Sequence, residues 1–315
     1  MKRLYSILIA MLPLCALAQG GSIKLLKQKY FKKSVPAGNY SGITNIGGNR
    51  YAVVSDKHYY DGFHVFEIDI DPVKGKIKDI RHLGFRSSGL TNRDEEGIAF
   101  RSSDSTIYIS GESDNAVLQY THDGQLTGRR LNMPARYGRC VRNRSLESLC
   151  YDESTNLFWT CNEWTLKGDS AGVISMQSFG DDLQPRDSIN YRTHFGREVL
   201  SRGHTPGVSD LMAPGDGTII VLERDVYTAK KNIGSYALCS LYRIRPLGDG
   251  RYEDLGAIAT WKTKFNITRQ NFANYEGLCM GPALADGRKT IILVADSQNQ
   301  YKGLLRDWFK VIVME

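Results

Sequence analysis

Short apolar runs alternate with polar turns along most of the chain, and one stretch shows the unit clearly. Asp94-Glu95-Glu96-Gly97-Ile98-Ala99-Phe100 is an acidic start followed by an apolar strand. Residues 101–105 make a polar turn, and Thr106-Ile107-Tyr108-Ile109-Ser110-Gly111-Glu112 is a β-branched and aromatic strand with an acidic finish. Two such runs around a Ser/Asp turn predict a β-hairpin. The start of the first strand and the end of the second then share one end, which brings Glu96 near Glu112.

The pattern recurs four more times. Residues 41–44 lead to 51–56, 147–150 to 157–163, 209–212 to 218–223, and 276–279 to 290–296. All five second strands end in a carboxylate, and three of the first strands begin with Glu. Further strands follow each hairpin: 62–68 and 78–85, 116–121 and 126–131, 172–179 and 187–191, 237–244 and 255–261. The last repeat has only 308–313. Four strands per repeat, about 59 residues apart, predict an all-β chain built of four-stranded blades in a ring, a β-propeller. Five blades are expected, with six as the alternative. The last repeat lacks one strand and residues 23–31 are left over, so this N-terminal strand is expected to complete the last blade. Lys24, Lys27, Lys29, Lys32 and Lys33 then guard an outer edge against further pairing.

The first residues change the picture of where the protein works. Lys2 and Arg3, an apolar run over 4–14 and Ala16-Leu17-Ala18 predict a secretion leader over 1–18 and a single mature domain over 19–315. The protein is expected to be exported, to the periplasm, the cell surface or the medium. Leu14 precedes Cys15 where a lipobox wants Gly or Ala, which argues against lipidation. The apolar run is too short to span a bilayer, and no second run is long enough. The formal charge of +7 falls to +5 once Lys2 and Arg3 leave. That is mild, and no basic-aromatic motif points to nucleic acid. A monomer is expected. The remaining cysteines, Cys140, Cys150, Cys161, Cys239 and Cys279, are odd in number and show no framework spacing. Cys150 and Cys279 share a repeat position and read as small buried core residues. A Cys150–Cys161 pair stays open at this point.

The carboxylates carry the chemistry. In a propeller the first strand of each blade lines the channel, so Glu96, Glu147 and Glu276 form an inner ring at one mouth. Asp56, Glu112, Glu163, Glu223 and Asp296 form a second ring just outside. So many like charges raise one another's pKa and destabilise the ionised state. One remedy is a hard cation such as Ca²⁺, which takes six to eight oxygen ligands. Another is Arg or Lys, and Arg93, Arg224, Lys57 and the arginine-rich segment 136–144 are placed for it. A third reading is that the acids accept backbone N–H bonds from neighbouring blades and lock the ring. There is no Gly-x-Ser-x-Gly elbow, no His-Glu-x-x-His and no phosphate-cradling Gly loop. The histidines lack ligand spacing, and His204 reads as a solvated loop residue.

At these residues the chain resembles the phytase-like family, the esterase-like activity of phytase family. The matching motifs are Asp94-Glu95-Glu96-Gly97-Ile98-Ala99, Ser110-Gly111-Glu112, Asn143-Arg144-Ser145-Leu146-Glu147-Ser148-Leu149, Leu222-Glu223-Arg224, Asn274-Tyr275-Glu276-Gly277-Leu278 and Ala295-Asp296-Ser297-Gln298-Asn299. The sequence departs from the family pattern at Ser148, where Gly usually follows the Glu, and at Ser41, where the first repeat lacks a Glu. The resemblance implies a propeller, a divalent-cation site and hydrolysis. On that reading the protein is a Ca²⁺-dependent phosphoric-ester hydrolase acting on a small molecule. Glu96, Glu147, Glu276 and Asp296 hold the metal, and Glu112 or Glu223 orients the water. Arg224 acts on the phosphoryl group, and Arg144, Arg142 and Arg93 bind the substrate. A carboxylic ester fits the same parts. The competing expectation is a non-catalytic binding module whose carboxylate ring is structural.

Overall fold

The computed structural model describes residues 23–266, 268, 271–300 and 305–314. The leader expected over 1–18 lies outside them. The chain enters through two short strands, β1 (Ile23–Leu25) and β2 (Lys29–Tyr30). The first blade is β3 (Tyr40–Asn45), β4 (Arg50–Ser55), β5 (Phe63–Ile70) and β6 (Ile77–Arg86). The second is β7 (Glu95–Arg101), β8 (Thr106–Gly111), β9 (Ala116–Tyr120) and β10 (Leu126–Arg130). The third is β11 (Leu146–Asp152), β12 (Leu157–Asn162), β13 (Val173–Phe179) and β14 (Pro185–Arg192). The fourth is β15 (His204–Met212), β16 (Ile219–Tyr227), β17 (Ser235–Gly248) and β18 (Arg251–Phe265). The fifth is β19 (Asn274–Met280), β20 (Lys289–Asp296) and β21 (Trp308–Met314).

Each blade is an antiparallel meander in chain order. The innermost strands β3, β7, β11, β15 and β19 adjoin one another around the axis, and β19 returns to β3. This is the expected five-bladed propeller. Closure also follows the expectation, with the N-terminal strand in two pieces. Ile23 sits opposite Met314 and Lys29 opposite Phe309, so β1 and β2 both add to β21. Between them Leu26 turns inward and is buried. Its N–H donates to the Val311 carbonyl at 3.0 Å, and its own carbonyl accepts from Lys310 Nζ at 2.5 Å.

The core lies between the blades, because each sheet is apolar on both faces. Tyr40 meets Phe66 and Phe309 edge-on or tilted, at 5.5 and 6.3 Å, where the first blade joins the fifth. Tyr108 and Phe158 join the second and third blades at 4.3 Å. Such aromatic pairs add to simple area burial. Cys140, Cys150, Cys161, Cys239 and Cys279 are all free and buried, so Cys150 and Cys161 are not bridged. On the axis, Ile43, Ile98, Leu149, Leu211 and Leu278 supply one buried aliphatic side chain per blade. They line a single cavity of about 300 Å³ at the mouth opposite the acidic one.

Close approach of the innermost strands explains the glycines. A Cβ on Gly97 would stand 2.5 Å from the Leu149 nitrogen, and one on Gly42 would stand 2.3 Å from the Glu96 carbonyl oxygen. The third blade manages with Ser148, whose hydroxyl accepts the Cys161 N–H at 3.2 Å. The fourth carries Asp210, whose carboxylate accepts the N–H groups of Leu211 and Leu278, each at 2.8 Å.

Closure makes a direct prediction. Deleting residues 23–31 leaves the edge of β21 unpaired and removes buried Leu26. We expect the melting temperature to fall by at least about 5 °C, a loss on the order of 2 kcal/mol for a domain of this size. An unchanged melting curve would show that the ring closes without these strands.

Candidate active site at the acidic mouth

All five blades carry a bulge at the same place. Leu146 faces Asn162 and Ser148 faces Cys161, leaving Glu147 without an opposite residue. Glu276 is skipped in the same way between Tyr275 and Gly277, and Ser209 between Val208 and Asp210. The first and second blades slip by one residue between Tyr40 and Ile43 and between Glu95 and Ile98. A bulge bends the strand and re-aims a side chain. The inner ring is therefore Ser41, Glu96, Glu147, Ser209 and Glu276, three acids and two hydroxyls.

The second ring differs from the expectation at one position. The backbone N–H groups of Asp56, Glu112 and Glu163 bond the carbonyls of Asn39, Asp94 and Ser145. Asp296 pairs with Asn274, and Arg224 pairs with Gly207. Each of these partners lies two residues before an inner-ring residue. The second ring is thus Asp56, Glu112, Glu163, Arg224 and Asp296. Glu223 is one residue out, and a one-residue shift on a strand turns the side chain to the other face. The signal was present in the sequence: Arg224 stands six residues after Thr218, as Asp296 does after Thr290 and Glu112 after Thr106.

Glu223 instead faces the junction of the third and fourth blades. It accepts from Tyr191 Oη at 2.6 Å and from the His194 N–H at 3.0 Å, and His194 Nδ1 stands 2.9 Å away. The other ring nitrogen of His194 is 2.8 Å from Asp254, and the ring stacks on Tyr242 at 3.6 Å. His204 is likewise not a solvated loop residue. It heads β15, and its Nδ1 lies 2.7 Å from buried Asp225.

Arg224 is buried and joins three blades. Its guanidinium bonds Glu163 at 2.9 Å, the Asn274 side-chain oxygen at 2.6 Å, and Glu276. Burial disfavours its charge, but Glu276, Glu163 and Glu147 outweigh that and hold its pKa above the usual arginine value. The other expected cations divide. Arg144 donates to the Pro206 carbonyl at 2.8 Å, sits 3.9 Å from Glu163 and lies over the Trp164 ring. Arg142 is exposed in its loop. Arg93 bonds Asp114 at 3.0 Å and the Ile109 carbonyl at 3.2 Å and lies 3.6 Å from Glu95, all within the second blade. Lys57, half-exposed, reaches Asp56 at 2.9 Å and Asp94 at 2.5 Å.

The acids fall into two groups. Glu163 and Glu276 are engaged by Arg224. Asp296 accepts the Gln298 N–H at 2.7 Å, and Glu112 accepts the Ser145 N–H at 2.9 Å. Glu96 and Glu147, only 7% and 8% exposed, have no hydrogen bond or ion pair among the described residues. One buried oxygen of Asp56, Oδ1, also lacks a hydrogen-bond partner. Burial, then the neighbouring acids, pushes Glu96 and Glu147 well above the usual carboxylate range. The same causes lift Asp56 to about 6, against the pull of Lys57. Carboxylate oxygens of Asp56, Asp94 and Glu96 lie within 4.8 Å of one another. Asp94 was not among the sequence candidates for this ring. Its backbone has φ 60°, a left-handed conformation that Asp tolerates.

The fold and site define an all-β propeller with a carboxylate-rich mouth over an aliphatic floor. The family described as phytase-like, esterase-like activity of phytase, matches residues 35–298, and the chain belongs to it. No curated protein matches the sequence. Among solved structures, the tail fiber of Staphylococcus aureus phage P68 is 15% identical, with a TM-score of 0.46 over 92% of this chain. This chain spans about half of that one, 53%. The endo-arabinase from Bacteroides thetaiotaomicron is 14% identical, with a TM-score of 0.49 over 90% of this chain and 96% of its own. RS223-beta-xylosidase is 10% identical, with a TM-score of 0.48 over 92% and 95%.

The Glu223 cluster predicts a pH effect. Its hydrogen bond, the largest influence, and that of Asp254 raise the His194 pKa against the effect of partial burial. The resulting stability is fully present below the unfolded value of about 6.5 and is lost as pH rises through the higher folded value. Melting temperatures measured across this window should fall with pH in the wild type. Glu223→Gln should flatten that slope. An unchanged slope would detach His194 from the stability of this junction.

Proposed function

We propose that the chain is a divalent-cation-dependent hydrolase of a small phosphoric or other ester, with Ca²⁺ as the cation. The observation that supports this reading is the acidic cluster at the mouth: carboxylate oxygens of Asp56, Asp94 and Glu96 lie within 4.8 Å of one another, and the buried Asp56 Oδ1 has no hydrogen-bond partner. A buried acid without a partner is costly and ordinarily neutralises or meets a cation. The donor set is all oxygen, which suits a hard ion. Asp56, Asp94 and Glu96 would hold it in place of the Lys57 that Asp56 and Asp94 now share, while Glu276 and Asp296 are engaged by buried protein groups. When bound, such an ion neutralises the acids, polarises the ester oxygen and lowers the pKa of a water.

The chain's own groups have distinct tasks. Lys57 and Arg144 stand at the rim and draw the anionic end of the substrate. Glu112 gives one oxygen to the Ser145 N–H, which leaves the other free to orient a water and take its proton. Arg224 holds Glu163 and Glu276 in register. The leader-like residues 1–18 support a reaction outside the cytoplasm. A second reading, a non-catalytic module with a structural ring, draws on Asp210 and Glu95. Both are buried acids that accept backbone N–H bonds, from Leu278 and Gly62 respectively.

The two readings part on the metal. Binding to the native state alone adds about 2.7 kcal/mol at a hundredfold excess over Kd. Thermal unfolding should therefore shift upward with Ca²⁺ and return with chelator. Glu96→Gln should shrink the shift, and hydrolysis of a small ester should vanish with the metal. If Ca²⁺ and chelator both leave the melting curve unmoved, the hydrolase reading fails and the structural ring stands.

A further inference from the structure

Beside the acidic mouth, between the fourth and fifth blades, lies a cavity of about 430 Å³. That is within the size range of small-molecule sites. Arg224, Asn274 and Glu276 form its polar end, and Val226, Phe265 and Phe272 line its apolar wall. The polar end is rigid: Asn274 accepts from Arg224 at 2.6 Å and donates to Glu276 at 2.7 Å. The two phenylalanines are half-buried, at the end of β18 and just before β19. Phe272 rests one face on the junction core around Trp261, Tyr275 and Leu278, and the rest of it, with Phe265, faces the cavity.

We propose that the substrate is a monoester carrying an aryl group, and that this group seats against Phe265 and Phe272 while the ester lies over the acidic ring. This rests on the hydrolase reading above and names its substrate class. The charge balance points the same way. Among the described residues the cavity's one cation, Arg224, already serves Glu163 and Glu276. A substrate bearing several phosphates would bring extra anions beside Glu276 with no free cation among the described lining residues to receive them, a repulsive arrangement. One anionic group meets Lys57 and Arg144 at the rim, and the remainder of the molecule is received by aromatic faces, which favour offset or edge-on rings.

Phosphonates test seating apart from turnover, because their P–C bond resists hydrolysis. Phenylphosphonate and methylphosphonate are titrated into the full chain with Ca²⁺ present, by calorimetry and by tryptophan fluorescence. Trp308 Nε1 donates to the Phe272 carbonyl at 2.9 Å, so its emission reports on the wall. Phenylphosphonate should bind about tenfold tighter, a difference of ~1.4 kcal/mol. Phe272→Ala and, separately, Phe265→Ala should each remove most of that difference while methylphosphonate affinity holds. Equal affinity for the two phosphonates, or binding of neither, overturns the aryl pocket. Ca²⁺-dependent ester turnover alongside equal phosphonate affinity leaves the hydrolase reading intact. Selective phenylphosphonate binding without turnover of any ester supports the pocket and removes the hydrolase.

Discussion

Arg224 is the interaction on which the mouth depends. Its guanidinium meets Glu163 of the third blade and both Asn274 and Glu276 of the fifth, while its backbone belongs to the fourth. A buried ion group of this kind adds little net stability over a well-packed apolar replacement. Removing one member, however, leaves a buried charge uncompensated and is strongly destabilising. The arrangement therefore fixes how three blades sit around the axis. It also decides which acids remain available, because two of the carboxylates at the mouth are already neutralised by it.

What remains is a set of acids graded by their surroundings. Glu112 and Asp296 are steadied by backbone N–H groups. Asp56 and Asp94 share Lys57. Glu96 and Glu147, 7% and 8% exposed, have no hydrogen bond or ion pair among the described residues. Desolvation and like charge act together there, and both favour either protonation or an incoming cation. The bulge that every blade carries at this level is what points these side chains inward. The glycines next to it let adjacent backbones pass at distances that a Cβ would block. Site geometry and blade packing are thus set by the same few residues.

The junctions outside the mouth use similar chemistry for a different end. Glu223 with Tyr191 and His194, and Glu95 with Gly62, are buried acids whose hydrogen bonds cross from one blade to the next, and Glu95 also accepts from Tyr120 of its own blade. Their like charges are separated by whole sheets, so each is satisfied locally and none needs an added ion. The contrast with Glu96 and Glu147 is one of partners. Burial is common to both groups.

The sequence by itself pointed to five blades with six left open, to closure by residues 23–31 and to the inner-ring glutamates. Each of these follows from local periodicity or from repeat arithmetic: alternation marks a strand wherever it occurs, and a missing strand in the last repeat needs a donor. The family motifs were legible for the same reason, being contiguous runs such as Asp94 to Ala99. The second ring was less legible. Glu223 ends its strand pattern as the other acids do, yet strand register, settled by pairing across β15 and β16, turns it away and brings in Arg224. Asp94 joined the site only through a left-handed backbone turn. The aryl-sized cavity draws its walls from β16, β18 and the segment before β19, far apart in sequence. Which acids find partners, and which are left for a cation, was decided by tertiary packing. Desolvation and hydrogen bonding depend on neighbours in space, and the order of residues along the chain does not contain them.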